Sequence, residues 1–136
     1  MMRLGRREEA RMERMLVTLS LAAGPGFPVG CVDHRYEIEL ALDAAGQPDG
    51  RAWAEDPAPW RARRYRPEGP PEQGDVQYDG ENGWFIRFSG SLAERFDAPE
   101  ARFDPGSSPI RPGEYVTITE PDGGAFDYRI VGVGNA

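Results

Sequence analysis

The chain has 136 residues, enough for one domain with a hydrophobic core, and no apolar run approaches the roughly 20 residues that cross a bilayer. Its 23 acidic residues outnumber 16 basic ones, for a formal net charge of −7, which disfavours nucleic acid or an anionic membrane as a partner. The 17 glycines and 13 prolines are spread along the chain, implying many turns between short elements, as in all-β domains.

Every basic residue other than His34 is arginine. Where lysine is never used, an arginine can be simply a positive charge and does not by itself signal forked recognition of an anion. The single cysteine, Cys31, excludes an intramolecular disulfide and a multi-thiolate metal site, and it fits a reducing compartment. The stretch "MLVTLSLAA" (15–23) has the length of a signal-peptide core, but Glu8, Glu9 and Glu13 precede it where export wants positive charge. A cytoplasmic protein is expected.

Residues 1–14 read as a charged N-terminal extension. Over 3–14 only Leu4, Ala10 and Met12 are apolar, so a short, marginal helix that adds little to the core is expected there. One β-rich domain is expected over 15–136. "MLVTLSL" places Met15, Val17, Leu19 and Leu21 on one face of a first strand. "AAGPGFPVGCVDH" reads as a long loop. "YEIELAL" then alternates Tyr36, Ile38, Leu40 and Leu42 against Glu37, Glu39 and Ala41.

After the turn "DAAGQPDG", "RAWAEDPAPWRARRYR" reads as two short strands with a corner at Pro57 and Pro59. "PEGPPEQG" is a loop, and "DVQY" with "GWFIRFSG" makes a hairpin around "DGENG". "SLAERF" suits a helical turn, and "APEARFDPGSSPIRPG" reads mostly as connection. The chain closes on a hairpin whose loop, Pro121-Asp122-Gly123, suits a type I turn ending in a left-handed glycine. A three-residue loop sets Val116 opposite Tyr128 and Ile118 opposite Phe126, pairing apolar side chains on one face. The fold class is all-β, mainly antiparallel: a small barrel or two-layer sandwich of six to eight strands.

Two clusters carry side chains capable of chemistry. Cys31, Asp33 and His34 hold the only thiol and the only imidazole, as a nucleophile, base and orienting carboxylate would require. Adjacent residues of an extended segment point to opposite sides, which argues against a triad; a small apolar cysteine and a surface histidine is the simpler reading. The second cluster is "PWRARRYRP", where Trp60, Arg61, Arg63, Arg64 and Tyr65 mix aromatic and basic groups as single-strand binders do. Trp60 and Ala62 alternate with Arg61 and Arg63, and Arg64, Tyr65 and Arg66 read as a break in that phase. From Arg51 to Asp75 five arginines face five acids, so the arginines are expected to be neutralised by neighbours such as Glu37 and Glu39.

With one histidine and one cysteine no metal site is expected, and no phosphate-loop or dinucleotide motif implies a cofactor. Trp53, Trp60, Trp84, Phe85, Phe27 and Tyr115 exceed what one small core easily hides, which favours a binding or protein-interaction module without catalysis. Its partner would be a protein or a small molecule. The competing expectation is a small enzyme or ligand-binding barrel for an anionic small molecule, using His34, Asp33 and the Arg61–Arg66 strand.

Overall fold

Alternation of apolar and polar residues recurs in every segment that becomes a strand, and the computed structural model shows where the apolar faces go. It describes residues 13–24, 30–89 and 99–136. The strands are β1 (Met15–Leu21), β2 (Cys31–Leu40), β3 (Arg61–Tyr65), β4 (Glu72–Asp79), β5 (Gly83–Phe88), β6 (Glu100–Asp104), β7 (Tyr115–Thr119) and β8 (Ala125–Asn135). Each pairs antiparallel with the next, and β8 pairs with β1, closing an up-and-down barrel with no free sheet edge among the described strands. The expected all-β small barrel is thus the fold, in its closed form. The expected N-terminal helix and the helical turn at "SLAERF" fall on, or mostly on, residues outside those described.

An eight-stranded barrel has a lumen just wide enough to be filled by side chains. Val17, Leu19, Ile38, Leu40, Ala62, Val76, Ile86, Ala101, Val116, Ile118 and Ile130 fill it, all buried. Gly74 takes an inward position on β4, where a Cβ would lie 2.7 Å from the Arg87 carbonyl oxygen, so glycine is what the wall tolerates there. The last hairpin has the expected register, with Val116 opposite Tyr128 and Ile118 opposite Phe126. Its loop turns on Gly123 at φ 99°, and the Glu120 N–H donates to the Gly124 carbonyl across it.

Four local expectations are corrected. Cys31 to Arg35 belong to β2 rather than a loop: Ser20 pairs with Arg35 and Leu21 with Cys31, so residues 32–34 bulge from the ladder. "RAWAE" is not a strand but most of a helical turn, α1 (Gly50–Glu55), because the Asp49 carboxylate caps the N–H groups of Arg51 and Ala52. "EARFD" is a full strand, β6, whose Ala101 and Phe103 face the core between β5 and β7. Arg14, within the stretch expected to add little, is docked. Its guanidinium donates to Asp56, Glu39 and the carbonyls of Ala58 and Pro59.

The β2–β3, β4–β5 and β6–β7 connections lie at one end of the barrel, and the β1–β2, β3–β4, β5–β6 and β7–β8 connections at the other. The first end is plugged. Trp60 and Trp84 stack with ring centroids 5.9 Å apart, and Phe103 and Tyr78 pack on Trp84. Trp53 of α1 covers the group and donates its indole N–H to the Val76 carbonyl.

Candidate functional site: the polar mouth of the barrel

At the second end the inward positions turn polar. Following each strand's inward phase outward, Ile38 and Tyr36 lead to His34, and Ala62 leads to Arg64 and Arg66. On β4 the same phase ends at Glu72, and from Val116 and Ile118 it runs to Glu120 just past β7. On β8 it ends at Tyr128 and Phe126. A period of two puts the others toward the same mouth, and His34 reaches the cavity from the β2 bulge.

Glu120 is the centre of this layer and the one charged residue among the buried ones described. Tyr36 donates its hydroxyl to Glu120 Oε1 at 2.8 Å, and Tyr128 donates to Oε2 at 2.7 Å. Arg64 Nη2 lies 2.8 Å from Oε1, an ion pair that crosses the lumen between β3 and the end of β7. The other Arg64 nitrogen, Nη1, donates to Glu72 at 3.0 Å, and Arg66 Nη2 lies 2.9 Å from the same carboxylate. The result is a chain of alternating charge, Glu120–Arg64–Glu72–Arg66, running from the buried floor to the rim. The Tyr36 and Tyr128 rings meet edge to face at 5.2 Å, and the Arg64 guanidinium sits over the Phe88 ring.

Burial raises the ionisation of both phenols well above the ordinary tyrosine range, and the Glu120 carboxylate they face adds to it. They are held neutral, as donors. A buried ion pair of this kind contributes little net stability, because desolvation offsets its Coulomb gain; removing one member is what costs. Such a floor suits a site that must keep one geometry, or a core polar layer that fixes strand register.

Above the floor lies a cavity of about 230 Å³, lined by Leu21, His34, Arg64, Arg66, Glu120, Asp122, Phe126 and Tyr128. No family model, curated protein or solved structure matches this chain.

The residues singled out in the sequence divide among several places. Of Cys31, Asp33 and His34, only His34 lines the cavity; Asp33 is exposed, and Cys31 packs against the core. Of the second cluster, Trp60 is 1% exposed and lies in the opposite end, hydrogen-bonded to Asp56 at 2.8 Å. Arg61 and Arg63 are on the outer wall, Arg61 within 4.0 Å of Asp75 and Arg63 cross-strand from Glu37. Tyr65 is also on the outer wall, donating to Glu37 with Arg35 stacked 4.0 Å from its ring. Arg64 alone of that group points inward to the site. Its phase with Trp60 and Ala62 is unbroken.

Of the six aromatics that together exceed what one small core easily hides, Tyr115 is exposed, Trp60 and Trp84 are buried, Trp53 and Phe85 are half-buried, and Phe27 lies outside the described residues. Glu120, Tyr36, Tyr128, Glu72 and Asp122 were not among the sequence candidates. Except for Asp122, which lies in the β7–β8 loop, their signal is the inward phase of each strand carried two to four residues beyond its last aliphatic side chain. Among the described residues no group of three or more histidine, cysteine or acidic side chains is placed to hold a metal ion. No helix among them is long and apolar enough to cross a membrane.

Proposed function

We propose that the protein is a cytoplasmic small-molecule-binding barrel without catalysis, and that its ligand sits in the polar mouth on the Glu120 floor. The observation that carries this reading is the cavity placed directly over a buried carboxylate whose partners are fixed by three strands. Ligand sites in small barrels lie at such mouths, with a few convergent polar groups among apolar walls. Leu21 and Phe126 provide the apolar wall here.

Binding is favoured over catalysis because the ionisable groups of the floor are interlocked. Both phenols are held as hydrogen-bond donors, and both Glu120 oxygens already accept a hydroxyl. A general base or nucleophile needs a lone pair aimed at the reacting atom. A small molecule is favoured over a protein partner because the exposed large apolar residues, Val32, Tyr78, Tyr115 and Val131, are spread over β2, β4, β7 and β8.

The test is amide chemical-shift mapping on the full chain against a library of small polar metabolites. Binders should move the amides of Leu21, His34, Arg66, Asp122 and Phe126, and Phe126→Trp, which fills the cavity, should weaken them. Binders that map only to the outer wall or the aromatic end, or that are indifferent to Phe126→Trp, would refute the assignment.

A further inference from the structure

The charges of the mouth are not equally engaged. Both terminal nitrogens of Arg64 and both oxygens of Glu120 have protein partners. Two lining charges keep capacity. Arg66, with a side chain 44% exposed, places one nitrogen on Glu72, which leaves the rest of its five-donor fork without a partner among the described residues. Asp122 accepts the Gly124 N–H at Oδ1, and its Oδ2 has no partner among the described residues. The two make no ion pair with each other.

Their positions follow from topology. Arg66 stands at the start of the β3–β4 connection and Asp122 in the β7–β8 loop, and in a closed ring of eight strands these connections are half a turn apart. One layer deeper the same two sides are joined directly, because Arg64 follows β3's inward phase and Glu120 follows β7's, and they meet at 2.8 Å. At the rim the corresponding cation and anion remain apart, with the cavity between them.

From this we infer that the ligand is a small zwitterion, an α-amino acid with an apolar side chain, whose carboxylate meets Arg66 and whose ammonium meets Asp122. The inference rests on the proposed binding role of the mouth. The ligand completes at the rim the cross-lumen pairing that Arg64 and Glu120 make directly below. A pure anion would meet the Asp122 carboxylate with no net positive charge to offset it, since the lining guanidinium and carboxylate charges cancel, Arg64 and Arg66 (+2) against Glu120 and Asp122 (−2). A pure cation would leave the Arg66 fork empty and confront it. A zwitterion satisfies both, and Leu21 and Phe126 take its apolar side chain.

Three probes that share one aliphatic skeleton test it: leucine, 4-methylpentanoate (no ammonium) and 3-methylbutylamine (no carboxylate). Calorimetry and amide shifts on the full chain at pH 7 should show leucine binding several-fold tighter than either, the factor that losing one partly exposed ion pair gives. Asp122→Asn keeps the turn, since its amide oxygen still accepts the Gly124 N–H. It should weaken leucine several-fold while tightening 4-methylpentanoate, which no longer meets the Asp122 charge, and Arg66→Gln should weaken leucine and 4-methylpentanoate alike. If 4-methylpentanoate bound at the mouth as tightly as leucine, the zwitterion inference would fail and the binding role would stand. The same holds if none of the three shifted a mouth amide while another metabolite did. Only if nothing binds at the mouth does the site itself fall.

Discussion

The two ends of the barrel solve the same problem with opposite chemistry. A closed barrel satisfies its own backbone, so what remains open is the lumen at each mouth. At one end Trp60, Trp84, Phe103 and Tyr78 fill it with stacked rings under α1. At the other a carboxylate, one guanidinium group and two phenols form a polar layer and leave space above it. Aromatic filling is worth its area in apolar burial, and a polar layer of the same size is worth little. The polar end contributes less to stability than the aromatic end, and a cost of that kind is commonly borne where function needs it.

The largest effect is expected at Trp60. Trp60→Ala should cost about 3–5 kcal/mol by leaving a cavity beside Trp84 and removing the indole bond to Asp56, read as a shift in the urea midpoint. It should leave ligand binding at the far mouth unchanged when measured below the new transition. Glu120→Ala should cost about 3 kcal/mol, chiefly because Arg64 and the two phenols lose a buried partner. That variant should also lose binding. Equal loss of binding in both would mean that the two ends are not separable.

Much of this barrel can be read from period-two alternation, and what cannot is informative. Val17-Leu19-Leu21 and Ile38-Leu40 announce their inward faces, and the apolar pairing of Val116 with Tyr128 and Ile118 with Phe126 fixes the loop length of the last hairpin. Strand β6 is hidden because "EARFD" has only Ala101 and Phe103 to show an inward face. Helix α1 is hidden because its evidence is one cap, Asp49, in a proline-rich stretch. The mouth is hidden for a different reason. A polar residue in an inward position looks, in one sequence, like the end of the strand, so Arg64 reads as a break when it is a continuation. That the barrel is closed is a long-range fact, set by β1 meeting β8, with no local signature.

A smaller effect sharpens the account of the floor. Tyr128→Phe removes one hydroxyl bonded to a carboxylate and should cost about 1.5–3 kcal/mol. The alkaline limb follows from the raised phenol ionisation. Unfolded tyrosine ionises near pH 10, whereas Tyr36 and Tyr128 in the fold resist it, so the folded chain binds more protons there. Their contribution is complete below that pH and declines as pH rises above it. Tyrosinate absorbance of the native protein should therefore lack these two residues until the barrel unfolds, then rise cooperatively. Independent titration of all five tyrosines near pH 10 would contradict the closed floor.

Arg14 belongs to the aromatic end, where it ties the start of β1 to the segment between α1 and β3. Arg14→Ala should cost about 1–2 kcal/mol, since it loses charged hydrogen bonds that are only partly exposed. Burial alone would raise the Asp56 carboxyl, but donation from the Trp60 indole, the Ala58 N–H and Arg14 outweighs this and lowers it. Because the folded value is depressed, this contribution is present above the ordinary carboxylate range and is lost as pH falls through the lower folded value. Denaturant midpoints from pH 6 down to pH 2 should fall less steeply in Asp56→Asn than in the wild type. Parallel slopes would remove Asp56 from the acid limb.

The smallest effect comes from β3, which carries Arg61, Arg63 and Arg64, because its two faces look into different worlds. Arg61 and Arg63 lie on the outer wall opposite Asp75 and Glu37, where water screens the charge and the side chains keep most of their freedom. Arg64 is 12% exposed and holds both Glu72 and Glu120. Changing Arg61 and Arg63 together to glutamine should leave the melting temperature within a degree or so, the usual outcome for exposed pairs. Arg64→Gln alone should lower it clearly and abolish binding at the mouth. The outer pair also gives the clean control for nucleic acid, since a claw made of these side chains would bind single-stranded oligonucleotides with affinity falling steeply as salt rises. With both outer arginines facing acids and a chain charge of −7, no such salt-dependent complex should form. A low-micromolar complex at physiological salt, lost in the outer double variant but kept in Arg64→Gln, would transfer the function of this strand from the lumen to the wall.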